Sequence, residues 1–309
     1  MKGLLDGDIV VFRCGFAAER TQWHLAWGPD DERRGWNHTK SFDYKRDALD
    51  ELDKILPGKY SRVQGEDYDL WPEKMLEPLS HALQGVKTLV TRVCESLDLD
   101  PGFDLEVFLS DGRNFRHEVA KTRPYKGTRK EEHRPTYEQE IREYIKKNYD
   151  TYTAVDEEAD DLMGIHATKY GPEESIIITL DKDLDMIPGL HYNWVKDVAY
   201  KIGEREAMHN FHVQLMTGDT TDNIPGLTKI GPAKAAKALH GCDSDEEELI
   251  EVVRQYQIHS GKEDWLAYLR EQGQLLWIRR HPDEMWEPHP AAVQPMDLIN
   301  EGDLTLEVD

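Results

Sequence analysis

Cysteine is scarce in this chain of 309 residues: three in all, Cys14, Cys94 and Cys242, widely spaced and odd in number. They form no C-x-x-C pair and no disulfide framework, which fits a reducing compartment. No apolar run reaches the eighteen residues of a membrane span, and nothing after Lys2 reads as a signal peptide, so the expectation is a soluble, cytoplasmic protein without a membrane partner. A P-loop, a G-x-G-x-x-G turn, a Ser-His-Asp or Cys-His set and an H-x-x-x-H pair among the 13 histidines are all missing. Positive charge is also short. Lys and Arg number 38 against 61 Asp and Glu, a formal net charge of -23. Taken alone, that balance argues against a polyanionic partner, because neutralised phosphates supply much of the affinity for nucleic acid. The distribution argues otherwise. From Arg113 to Arg134 there are eight basic residues against three acids, whereas from Asp283 onward there are eight acids and no Lys or Arg. Local fields decide where a polyanion lands.

The acids sit in a pattern. Gly3 to Phe12 reads as a buried first strand interrupted by Asp6 and Asp8. Phe103 to Leu109 reads as a second strand ending at Asp111. Ser175 to Leu180 is a continuous apolar strand that runs into Asp181, Asp183 and Asp185. Between them, Glu157, Glu158, Asp160 and Asp161 crowd the first turn of a helix. The macrodipole favours one or two acids there, but five acids from Asp156 to Asp161 repel one another. Asp219 and Asp222 are three apart, and share a face if the backbone there turns helically. Strand ends of a βαβ layer open onto one crevice, so these groups are expected to converge. Such a cluster needs cations to ionise fully, and all-oxygen ligation selects Mg²⁺, with Mn²⁺ as substitute, over zinc.

Directly after Asp222 comes Gly226-Leu227-Thr228-Lys229-Ile230-Gly231-Pro232, then an Ala/Lys helix bearing Lys234 and Lys237. A hairpin opening onto a helix with proline at its first position suits phosphate contact. Upstream, Phe115 to Arg129 is a basic segment with Tyr125 inside it, suited to single-stranded backbone; Pro124 and Gly127 make it a poor regular helix. Residues 20–75 say less: Thr39 to Phe42 is an edge strand, Asp47 to Leu56 a short amphipathic helix, and Trp23, Trp27, Trp36 and Trp71 are small-core anchors. Glu77 to Leu97 reads as a long amphipathic helix, His191 to Val195 as a short strand and Met208 to Met216 as a helix.

The stretch G-D-T-T-D-N-I-P-G-L-T-K-I-G-P-A-K-A-A at Gly218 to Ala236 resembles the signature of the structure-specific 5′ nucleases. That family includes the bacteriophage 5′→3′ exonucleases, the flap endonucleases and the 5′→3′ exonuclease domain of DNA polymerase I. The D-G-D opening at Asp6, F-R-…-Y-K-x-x-R from Phe115 to Arg129, E-A-D-D from Glu158 to Asp161, and the alternating Asp181 and Asp183 resemble its other motifs, in order, over roughly residues 1–16 and 103–240. The resemblance implies an α/β fold: a central mostly parallel sheet flanked by helices, a PIN-like core over 1–205 with a helical arch at about 113–150. It further implies a helix-hairpin-helix-type DNA-binding region over 206–282, followed by an acidic tail from 283 to 309. It implies metal ligands at Asp6, Asp111, Glu158, Asp160, Asp161, Asp181, Asp183, Asp219 and Asp222, with Asp8 a second-rank candidate, and roles at the scissile phosphate for Lys126 and Arg129. DNA contacts are implied at Arg116, Tyr125, Lys126, Arg129, Gly226, Ile230, Gly231 and Lys234. Two Mg²⁺ ions about 4 Å apart would then act on the phosphodiester, with K⁺ at the hairpin. The implied partners are DNA with 5′ ends, nicks or flaps, RNA–DNA hybrid and replication proteins, met by a monomer in the host cytoplasm if the chain is phage-encoded. A PIN-like ribonuclease shares the acidic core, and a helical-hairpin DNA-binding protein with purely structural acids is the non-enzymatic alternative.

Overall fold

The computed structural model describes residues 1–30, 35–58, 62–128 and 134–293. Its sheet starts from the strand at the amino end. β1 (Lys2–Asp6) carries Leu4 and Leu5, both fully buried, and is flanked on both sides by parallel strands, β5 (Leu105–Asn114) and β7 (Ser175–Ile178). Unbroken apolar runs such as Ile176-Ile177-Ile178 are what a strand covered on both faces requires. The complete order is β6-β5-β1-β7-β8-β9, with β6 (Asp150–Asp156) and β8 (Gly189–Asn193) also parallel and β9 (Val198–Ile202) antiparallel at the edge. The mostly parallel α/β layer expected from the sequence is present.

One boundary differs. The apolar run after Asp6 does not extend β1; it forms α1 (Gly7–Ala17). Strand and helix meet with no connecting loop because Gly7 lies against β5: a Cβ there would come within 2.6 Å of Phe108 O and 2.8 Å of Leu109 Cδ2. Helix α6 (Ala159–Tyr170) covers the sheet, setting Ala159, Met163 and Ala167 against Leu4, Phe108 and Ile177. Ser110, at the end of the regular part of β5, accepts the Ala159 N–H at 2.9 Å and so fixes the start of α6 beside the strand ends.

The chain divides into two compact units. The first comprises 1–9, 92–133 and 145–309. Besides the sheet it holds a helical cluster built from α7 (Glu204–Thr217), α8 (Pro232–Ala238), α9 (Asp245–His259) and α10 (Trp265–Leu276), packed through Phe211, Leu215, Val252, Tyr256 and Leu269. The second comprises 10–91 and 134–144. It contains an antiparallel sheet ordered β3-β2-β4: β2 (Glu19–Asp30), β3 (Gly35–Phe42) and β4 (Tyr68–Leu76), with α2 (Lys45–Ile55) packed on β2 and β3 through Ala48 and Leu52. Its tryptophans are not core anchors. Trp71 is 36% exposed and stacked on His24, Trp27 stacks on His38, and Lys45 lies over Trp23. Helix α3 (Leu79–Leu97) joins the two units in sequence. Among the described residues of the segment 113–150 are a one-turn helix, α4 (Arg116–Val119), a turn at 124–127 and α5 (Glu138–Asn148). Among the described residues no helix is long and apolar enough to cross a membrane.

Candidate active site

The acids converge at the carboxyl ends of the parallel strands. Asp6 ends β1, the Thr179–Asp183 segment follows β7, and α6 begins just beyond β6. Asp6 is 3% exposed; it accepts the Thr179 hydroxyl at 2.9 Å and the Ile9 N–H at 3.1 Å. Burial, reinforced by the neighbouring charges of Asp8 and Asp181, pushes its carboxyl up to about 7. Asp8 accepts the Ser110 N–H at 3.1 Å. Burial, together with Asp6, Asp181 and Glu158, holds the Asp160 carboxyl well above the usual range. Asp183 is raised to about 7, by burial first and then by Asp181, Asp219 and Asp222. Asp181 is exposed and accepts the Asp183 N–H at 2.9 Å. The acids of four separate segments are therefore close enough to feel one another's charge.

Asp219 and Asp222 come together without a helix. Residues 219–224 form a tight reversal in which Asp219 and Ile224 exchange both backbone hydrogen bonds, and the Asp219 carboxylate accepts the Thr221 N–H at 2.7 Å. Two glycines allow the chain to pass so close to itself. Gly218 (φ +71°) and Gly226 (φ +58°) lie face to face, and a Cβ on Gly226 would come within 2.6 Å of Thr217 C and 2.8 Å of Gly218 Cα. Helix α10 holds the far side: Tyr268 donates to Gly226 O at 2.6 Å, and Gln272 Oε1 accepts Gly226 N–H at 3.1 Å.

Glu158 is the hub of polar contacts. As N-cap residue of α6 it accepts from Lys126 Nζ at 2.6 Å, Asn114 Nδ2 at 2.7 Å and Tyr125 OH at 3.0 Å, and stands 3.8 Å from Arg116. Burial alone would raise its carboxyl, but the Arg116 and Lys126 charges hold it below the usual range. The Tyr125 hydroxyl also reaches Asp222 at 2.7 Å, so its single proton is shared between carboxylates of two segments.

Several residues stand elsewhere than their expected roles require. Asp161 is fully buried and saturated: it accepts Arg116 Nη1 at 2.6 Å, Arg116 Nη2 at 2.8 Å, Glu158 N–H at 3.0 Å and Arg279 N–H at 3.1 Å. Burial opposes its charge, yet Arg116 keeps the carboxyl below the ordinary range. No lone pair is left to offer a metal. Arg116, expected at DNA, is 2% exposed and also donates to Leu275 O at 3.0 Å and Trp277 O at 2.7 Å. Tyr125 is 5% exposed, with its ring packed in the helical cluster, so no face is open for stacking a base. Gly226 is buried with both peptide groups taken, and Ile230 packs against the same cluster. Asp111 is exposed and makes no hydrogen bond or ion pair among the described residues. Gly231 is the N-cap of α8, Pro232 its first residue, and Lys234 is exposed beside them, which leaves this turn open to a ligand. Arg129 lies outside the described residues.

Sequence reading missed Asn114, Thr179, Gln214 (3.0 Å from Asp183) and Arg279. The first two follow or end predicted strands, which is a usable signal; Gln214 and Arg279 offered none.

The donor set fits a hard divalent cation: it is all oxygen, and burial together with its excess negative charge drives Asp6, Asp160 and Asp183 toward protonation. Among the described residues no three of these side chains yet surround one point; Lys126 and Tyr125 stand between Glu158 and Asp222.

No family model matches the chain. It is 35% identical over 95 residues to DNA polymerase I of Rhizobium leguminosarum, covering 26% of this chain and 9% of that protein. It is 27% identical over 132 residues to an exodeoxyribonuclease of Enterobacteria phage T3, covering 41% of this chain and 43% of that one. The chain thus spans less than half the length of these curated relatives. Among solved structures it is similar to a bacteriophage T5 flap endonuclease in complex with DNA and metal ions (TM-score 0.47, 18% identity, 63% of this chain and 77% of that one). It is likewise similar to a bacteriophage T5 protein co-crystallised with metal ions (TM-score 0.45, 19% identity, 63% and 79%).

Proposed function

We propose that this chain is a structure-specific 5′ nuclease: a divalent-metal-dependent 5′→3′ exonuclease and flap endonuclease acting on DNA at 5′ ends, nicks or flaps. The observation that carries the reading is the group of mutually repelling carboxylates at the sheet's carboxyl edge. Burial first, and then the charge of neighbouring acids, raises the carboxyls of Asp6 and Asp183 to about 7 and holds that of Asp160 well above the usual range. A purely structural site gains nothing from such repulsion, whereas a cation site requires it.

Asp6, Glu158, Asp160, Asp181, Asp183, Asp219 and Asp222 would hold the metal; Asp161 is assigned to the scaffold. A divalent ion there, Mg²⁺ or Mn²⁺, supplies charge neutralisation and acidification of water. Lys126, with 22% of its side chain exposed, has an ammonium at the mouth of the cleft, suited to neutralising a phosphate oxygen. Gly231 and Lys234 offer an open turn and a cation for the duplex backbone, in a helical-hairpin region spanning α7 to α8. K⁺ at that turn, RNA–DNA hybrid as a second substrate, monomeric action and replication partners belong to the same reading.

The test is a 5′-labelled flap duplex incubated with the protein in Mg²⁺ or in chelator. Cleavage near the flap junction with Mg²⁺ alone is expected. A protein that binds the duplex but leaves it whole in Mg²⁺ and in Mn²⁺ would refute the enzymatic reading. Cleavage of the matched RNA strand alone would favour a ribonuclease.

A further inference from the structure

The turn at 124–127 is bound to the acid turn by backbone as well as side chain. Lys126 adopts φ +53°, a left-handed conformation that few non-glycine residues enter. Its N–H donates to Asp222 O at 2.9 Å, and Asn223 Nδ2 donates to Pro124 O at 2.9 Å. From that seat Lys126 Nζ lies 2.6 Å from Glu158 Oε1 and 3.6 Å from Asp222 Oδ2. Glu158 caps α6; Asp222 belongs to a turn far along the chain. Carboxylates of two separate segments thus meet on one ammonium, which is the arrangement a bridging cation takes.

We propose that Lys126 is the resting counter-ion of the acid cleft, seated where a divalent cation would bridge Glu158 and Asp222, so that metal and lysine compete for one place. This role rests on the metal-dependent reading given above. Arg116 cannot substitute, because Asp161 and two backbone carbonyls hold its guanidinium in the interior. In the competing arrangement, Glu158 and Asp222 would hold a divalent ion that supplies two positive charges where the ammonium supplies one. Lys126, displaced from Glu158, would then be free to meet a phosphate oxygen. Lysine and metal would thus serve the same carboxylates in succession, and the ammonium limits the repulsion between them.

The experiment is calorimetric titration of Mn²⁺ into DNA-free protein, wild type against Lys126→Met and Lys126→Gln. With one positive charge removed from between two carboxylates, the variants should bind Mn²⁺ at least about tenfold more tightly. A second measurement needs no variant. Amine acylation read by mass spectrometry should show Lys126 of the wild type labelling faster once Mn²⁺ is added, with exposed Lys234 as internal reference. Equal Mn²⁺ affinity in wild type and both variants, with Lys126 labelling unmoved by metal, overturns the proposal while leaving the metal-dependent reading intact. Absence of Mn²⁺ binding in all three proteins overturns both.

Discussion

Removing the Arg116 guanidinium should expose how the acid-bearing end of α6 is held. Arg116→Met leaves Asp161 ionised at zero exposure with only two N–H donors, from Glu158 and Arg279, and orphans the carbonyls of Leu275 and Trp277. Breaking a buried pair in this way costs about 3–5 kcal/mol. Asp161→Leu should cost a similar amount, since it takes from the buried guanidinium the carboxylate that accepts two of its hydrogen bonds and leaves it only Glu158 at 3.8 Å. The double variant strands neither charge. It leaves four unsatisfied backbone groups, the two carbonyls and the two N–H groups, at about 1 kcal/mol each. The double should therefore lose about 4 kcal/mol where the singles sum to roughly 6–10, a coupling of at least about 2 kcal/mol. Equilibrium guanidinium unfolding in chelator at neutral pH, followed by circular dichroism across the four proteins, measures this. Single losses that add to the double within about 0.5 kcal/mol would show that the two side chains do not depend on each other, and the scaffold role of Asp161 would fall with that result.

Three further outcomes follow from the cleft. Asp181→Asn with Asp183→Asn should abolish the thermal shift that saturating Mg²⁺ gives, about 2.7 kcal/mol at a hundredfold excess over Kd, while the chelated variant melts no lower than wild type; a retained shift in differential scanning fluorimetry would move the ligands elsewhere. Gly226→Ala should destabilise by at least about 2 kcal/mol, because the residue needs a left-handed conformation and its Cβ meets backbone. Gly231→Ala, whose Cβ meets nothing within 4 Å, should cost under about 1 kcal/mol; equal losses would contradict the packing of the 218–226 reversal. The native carboxyls of Asp6 and Asp183 sit near 7 against an ordinary 3.8, so the folded state binds more protons than the unfolded one between those limits. Metal-free stability should then fall as pH rises from about 4 to 7, by at most about 1.4 kcal/mol per unit per carboxyl; flat or rising stability in chelator would contradict the burial of these acids.

The acid clusters were legible because each stands where a strand ends or a helix begins, and local pattern reports such junctions. What lay between them was not. Arg116 and Asp161 are 45 residues apart, and nothing in the spacing of either marks a buried pair. Tyr125 sits in a basic, proline-interrupted segment that reads as exposed, yet the helical cluster buries it, a tertiary choice invisible to composition. The run after Asp6 reads as strand because it is apolar; Gly7, pressed on Phe108 O, turns it into α1 instead. The β3-β2-β4 sheet had a usable signal in the alternation of Trp23, Leu25 and Trp27. Pro72 is unfavourable inside a central strand, and the structure accommodates it by placing β4 at the sheet edge.

The contacts of Arg116 and Asp161 with Leu275, Trp277 and Arg279 also set an order in time. A ribosome delivers this chain at roughly 5–20 residues per second, and domains generally fold as they emerge. The acids of β1 and α6 leave the ribosome long before residues 275–279, yet the start of α6 is fastened by backbone groups from that late segment. The Asp222 turn likewise waits for Tyr268 and Gln272 to grip Gly226. A nascent chain therefore carries the residues of its cleft well before it carries the means to assemble them, and competence waits for residues 268–279 rather than arriving with the sheet.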